Sequence, residues 1–114
     1  MVFRNRNGVW RTCPFGANKA AKWIRRVTLE PGKPCVLHLE VTSHEAQTDW
    51  QLIVKANGKE LLTKTIKTAA WLSFDVDLGE YAGQEVLLEM LNKAAGEFKD
   101  DYGYWDRVGI GRKP

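Results

Sequence analysis

The chain has little of what most protein chemistry requires. Two histidines and two cysteines are all it carries in 114 residues. No CxxC, HExxH or other zinc spacing occurs, and there is no EF-hand loop or phosphate-cradling glycine loop. Nucleophilic catalysis needs a serine or cysteine beside a positioned base. Neither His38 nor His44 has such a partner near it in sequence. Asp75 and Asp77 share one side of a strand, and carboxylate pairs serve glycoside hydrolysis. A solvent-facing strand is the preferred reading of that pair, Asp100-Asp101 reads first as a surface loop, and no enzyme is expected. No apolar run approaches the ~18 residues of a membrane span. The first residues lack the apolar core and cleavage site of a signal peptide. Cys13 and Cys35 fix no spacing motif, so one disulfide and two unlinked thiols stand equally open.

Charge of one sign is not concentrated either. Seventeen Lys and Arg against fourteen Asp and Glu leave a net charge of +3, and only Lys19, Lys22, Arg25 and Arg26 form a loose cluster. Nucleic-acid binders gather their basic residues on one face to meet phosphates, so no nucleic-acid partner is expected. The 44% hydrophobic and 27% charged content is that of a globular protein. A chain of this length buries roughly 65% of its unfolded surface. One domain without staples follows.

The apolar residues recur with the period of strands. Lys22–Glu30 is rich in aromatic and β-branched residues and stops at the turn pair Pro31-Gly32. Pro34–Ser43 alternates, with Cys35, Leu37, Leu39 and Val41 inward and Val36, His38, Glu40 and Thr42 outward. Asp49–Ile66 is a hairpin turned at Asn57-Gly58, the pair suited to two positive-φ positions. A two-residue loop there sets Lys55 opposite Glu60, Val54 opposite Leu61 and Leu52 opposite Thr63. Trp71–Leu78 alternates again. Glu85–Asn92 has mixed periodicity, but its flanking loops leave too little length for a helix. Tyr102–Ile110 closes the set, and Gly8–Cys13 adds a short strand. Regularly spaced strands with turns between them make an all-β antiparallel sandwich of about eight strands.

What the chain has in abundance is tryptophan, five residues, with three tyrosines and four phenylalanines. Trp50 and Phe74 alternate with aliphatic residues and read as core. Trp10, Trp23, Trp71 and Trp105 stand beside polar or basic neighbours, and at least one is expected to be exposed. In the last strand Tyr102, Tyr104, Asp106, Val108 and Ile110 fall on one side, and Gly103, Trp105, Arg107 and Gly109 on the other. A sugar presents an apolar C–H face and a rim of hydroxyls, which exposed aromatics flanked by hydrogen-bonding groups complement. The candidate ligand-binding residues are accordingly Trp10, Arg11, Trp23, His44, Trp71, Tyr104, Trp105 and Arg107.

The runs DWQLIVKANGKELLTKTI, FDVDLGEYAGQEVLLEMLN and YGYWDRVGI resemble galactose-binding-like jelly-roll domains, nearest to accessory modules of the NPCBM sort from large exported bacterial proteins. The likeness rests on the Asn-Gly-Lys turn, the Asp77–Gln84 loop and the Tyr104–Val108 pattern, and covers about two thirds of the chain. It implies a non-catalytic carbohydrate-binding module with a polysaccharide or glycan as partner. It also implies an extracellular or periplasmic location within a larger parent polypeptide. In related jelly rolls an aspartate near the final strand joins a structural calcium, which makes Asp106 a candidate ligand of Ca²⁺; pairing with Arg4, Arg6 or Arg11 is the alternative. A structural or protein–protein interaction domain is the rival reading of the whole chain.

Overall fold

Each segment with strand periodicity forms a strand. The computed structural model describes residues 1–14, 19–46, 48–94 and 101–112; Asp100 therefore lies outside the described residues. In chain order the strands are β1 (Trp10–Thr12), β2 (Ala21–Thr28), β3 (Cys35–Ser43), β4 (Trp50–Ala56), β5 (Lys59–Ile66), β6 (Leu72–Asp77), β7 (Glu85–Lys93) and β8 (Gly103–Arg112). All pairings are antiparallel. One sheet has the order β1-β8-β3-β6 and the other β2-β7-β4-β5. Successive strands alternate between the two layers except where the β4–β5 hairpin stays in one, which is the winding of a jelly roll.

The core lies between the inner faces, where alternation puts Leu37, Leu39 and Val41 of β3 opposite Leu52 and Val54 of β4 and Val86 and Leu88 of β7. Trp50 and Trp105, one from each sheet, meet at its centre with ring centroids 5.2 Å apart. Gly103 is required beside them, because a Cβ there would stand 2.8 Å from the Trp50 ring.

Three expectations are corrected by packing. In the hairpin, Asn57 and Gly58 take positive φ (50° and 82°) and Lys55 does face Glu60. One step further the register slips, so that Val54 faces Leu62 and Leu52 faces Lys64. Leu61 is the extra residue of a β-bulge. The bulge lets both Leu61 and Leu62 pack against the core, where strict alternation would turn one of them to solvent.

The second correction concerns β8. Asp106 faces Glu40 and Gly109 faces His38, so Arg107 and Val108 together stand opposite the single residue Leu39. Arg107 has φ +49°, the left-handed conformation that bulges use. The extra residue inverts the alternation, and Ile110 opposite Leu37 lies on the same inner face as Trp105 opposite Val41.

The third correction concerns the polar face of β3. Glu40 is 5% exposed and Thr42 fully buried, because residues 1–9 fold across that side of the sheet. Arg4 donates to Thr42 Oγ1 at 2.8 Å and to the His44 carbonyl at 2.9 Å. Arg6 reaches Glu40 and Asp106. Asp101 is likewise buried rather than part of a surface loop. Cys13 and Cys35 are both thiols.

Candidate functional site

The strand order puts β1 and β2 at edges of the two sheets. Cross-strand register then decides which side chains share the gap between them. Trp10 faces Trp105 and so points inward with it. Trp23 faces Met90, and Arg25 faces Leu88, both inner-facing positions of β7. Inward-pointing residues on an edge strand are only half covered. An open cleft of about 310 Å³ results, walled by Trp10 and Trp23 and floored by Met90 and Trp105. Ile24, Arg25 and Val108 complete its lining.

Trp10 is 61% exposed, and its ring meets that of Trp23 edge to face, with centroids 5.2 Å apart and planes at 84°. Edge-to-face contact satisfies the quadrupoles of both indoles and leaves a ring face of Trp10 open to the cleft. Ile24 and Val108 are the exposed apolar residues at its rim. Trp105 is different. It is 1% exposed, and its Nε1 donates to Thr12 Oγ1 at 2.8 Å. It supports the floor rather than standing free.

The remaining sequence-derived candidates lie toward the opposite, outer side of the β1-β8-β3-β6 sheet, where residues 1–9 pack over Tyr104 and Trp71. Tyr104 is stacked by Phe3 at 3.7 Å with the rings parallel. Its hydroxyl is 2.8 Å from His44 Nδ1, and burial pushes its pKa above the ordinary phenol value, outweighing the opposing effect of Arg11. Arg11 lies over the Tyr102 ring at 5.0 Å. Trp71 is half-buried between Phe3 and Arg6, whose guanidinium sits 4.5 Å from its ring centroid. Arg107 is exposed beside Glu40 and Asp106, at 3.9 Å from each. This cluster holds the amino-terminal segment in place.

The residues around Asp106 do not fit a calcium ion. Asp106 Oδ2 is 3.1 Å from Arg6 Nη1, so a guanidinium stands where the ion would need to be. Among the described residues no group of three or more His, Cys, Asp or Glu side chains gathers to hold a metal. An oxygen shell of six or more ligands has no basis here. The alternative pairing, with Arg6, is the one observed.

Arg6, Glu40, His38 and Asp75 form a chain of charge. His38 is held at 2.7 Å by both Glu40 and Asp75. The hydrogen bond to Glu40, then that to Asp75, raises the imidazole pKa above 6.5. Burial opposes ionisation of Glu40, but hydrogen bonds from His38 and Arg6 outweigh it and hold the carboxyl below 4.5. Asp77 accepts the Gly79 N–H at 2.7 Å and caps the following turn. Asp75 stands opposite His38 and Asp77 opposite Val36 across the β3–β6 pairing.

The sequence reading missed Arg25 and Met90 as site residues. The signal for Arg25 was present: it shares the inner side of β2 with Trp23 and Val27.

No protein-family model matches the chain, and no curated protein matches it in sequence. Solved structures match its fold. The C-terminal domain of EclA, described as a sugar-binding protein, superposes with a TM-score of 0.73 over 97% of this chain and 82% of that one, at 10% identity. A CBM4 structure gives 0.61 over 95% of this chain and 73% of that one, at 17% identity. The insecticidal delta-endotoxin Cry8Ea1 from Bacillus thuringiensis gives 0.59 over 83% of this chain, at 12% identity, and this chain spans only 18% of the toxin. At these identities the likeness is one of fold.

Proposed function

We propose that the chain is a non-catalytic carbohydrate-binding module, of the kind carried outside the cell by a larger exported parent, and that its sugar lies in the cleft between β1 and β2. The observation that carries this reading is the Trp10–Trp23 pair, which leaves an indole face open above an apolar floor. Stacking of a pyranose C–H face on that ring is worth most where neighbouring walls exclude water. The described sugar-binding character of the EclA domain supports the ligand class. Trp10 and Trp23 are the stacking residues, Trp105 positions the floor, and Arg25 supplies the hydrogen bonds. One aromatic platform with few polar contacts gives a Kd of about 10⁻³ to 10⁻⁵ M. Tethering to a parent chain then provides avidity.

A glycan array followed by titration of the bound polysaccharide tests the reading, with Trp10→Ala as the control. Retention on at least one polysaccharide, lost in the variant, is the expected result. No retention on any glycan overturns it. The exposed Ile24 and Val108 at the rim favour a protein partner as the second reading.

A further inference from the structure

Among the described residues that line the cleft, the charged one is Arg25, a cation on an inner-facing position. Arg25 lies opposite Leu88, in the row of β2 that Trp23 and Val27 turn toward the core. Because β2 is an edge strand, Arg25 is nonetheless exposed and open to a ligand. Its neighbours on the outer side are neutralised: Lys22 Nζ lies 3.6 Å from Glu89 and Arg26 Nη1 3.5 Å from Glu85. Among the described residues Arg25 makes no such pair and no carboxylate lines the cleft.

Resting on the carbohydrate reading above, we propose that the ligand is an acidic glycan, a polymer of uronic acid residues, and that Arg25 reads its carboxylate. Trp23 and Arg25 are two residues apart on one side of a strand, about 6.6 Å along it. That span is covered by one sugar ring and its exocyclic carboxyl. A guanidinium meets a carboxylate through two parallel N–H donors, a geometry that lysine cannot reproduce. An inward charge on an edge strand also discourages pairing with a second copy, and the experiment separates this role from recognition.

Oligogalacturonate, oligoglucuronate and alginate oligomers are titrated against the intact chain, each beside its carboxyl-reduced neutral counterpart of identical linkage. At least one acidic oligomer is expected to bind roughly tenfold more tightly than its reduced form, with the preference shrinking as salt is raised. Arg25→Gln abolishes the preference, Arg25→Lys restores it in part, and Arg26→Gln leaves it intact. Equal binding of acidic and reduced oligomers overturns the assignment while leaving the carbohydrate reading standing. Binding to no oligomer here and to no glycan on the array defeats both. A change confined to self-association in Arg25→Gln, with the acidic preference unaltered, also overturns it and assigns Arg25 to edge protection.

Discussion

Asn92, fully buried on β7, donates through Nδ2 to the carbonyl and the Oγ1 of Thr12, at 3.3 and 3.1 Å, and so ties the three-residue edge strand β1 to the other sheet. The same Nδ2 reaches the Asp101 carbonyl at 2.9 Å. Thr12 in turn accepts from Trp105 Nε1. The position of Trp10, two residues before Thr12, thus depends on an amide that never approaches the cleft.

Asn92→Leu is expected to cost about 1–3 kcal/mol, since it leaves buried partners unpaired. Glycan affinity should fall as well, because β1 loosens. Denaturant midpoints and amide exchange across Trp10–Thr12 check both effects.

Two tryptophans of the cleft should respond oppositely. Trp10→Ala removes an exposed ring and should change stability by less than about 0.5 kcal/mol while weakening sugar binding at least tenfold. Trp105→Ala empties the core centre and should cost about 3–5 kcal/mol. Urea melts beside binding titrations distinguish them. Acrylamide quenching of the wild type should show one accessible indole above all, that of Trp10.

Gly103→Ala is expected to destabilise by about 1–3 kcal/mol, because the added methyl meets the immobile Trp50 ring. The urea midpoint reads the loss.

Stability should depend on pH through His38 and Glu40. His38 titrates higher in the fold than its ordinary value of 6.5, so its contribution is complete below 6.5 and fades as pH rises through the folded value. Glu40 titrates below its ordinary 4.5, so its contribution is complete above 4.5 and is lost as pH falls through the folded value. Both are present together between pH 4.5 and 6.5. Urea midpoints at about pH 3, 5.5 and 8.5 should peak at the middle condition. His38→Gln should flatten the alkaline side of that profile.

Strand placement was legible because period-two alternation and turn chemistry act locally. Asn57-Gly58 declared its turn, and Leu72, Phe74 and Val76 declared the inner side of β6. The two bulges were not legible, since Leu61 and Arg107 are extra only in relation to strands that pair with them. Glu40 points outward as its alternation implies, but its burial was not legible for a similar reason. Nothing on β3 announces that a distant Arg6 will cover it. Of the site, Trp10 and Trp23 were legible by composition, an aromatic beside a polar neighbour. Trp71 carries that same signature, yet the amino-terminal segment claims it, as it claims Tyr104. Composition records which side chains can stack, whereas topology decides which stay uncovered.

The left-handed residue in β8 also sets a reading frame for everything after it. Flattening the bulge with Arg107 kept in line would restore plain alternation and carry Ile110 to the far side of the sheet, withdrawing it from Leu37 while Trp105 stayed put. Loops forgive insertions and deletions of one residue. Away from the bulge this strand would forgive neither, so length variation should stop at its borders even where side-chain identity drifts freely.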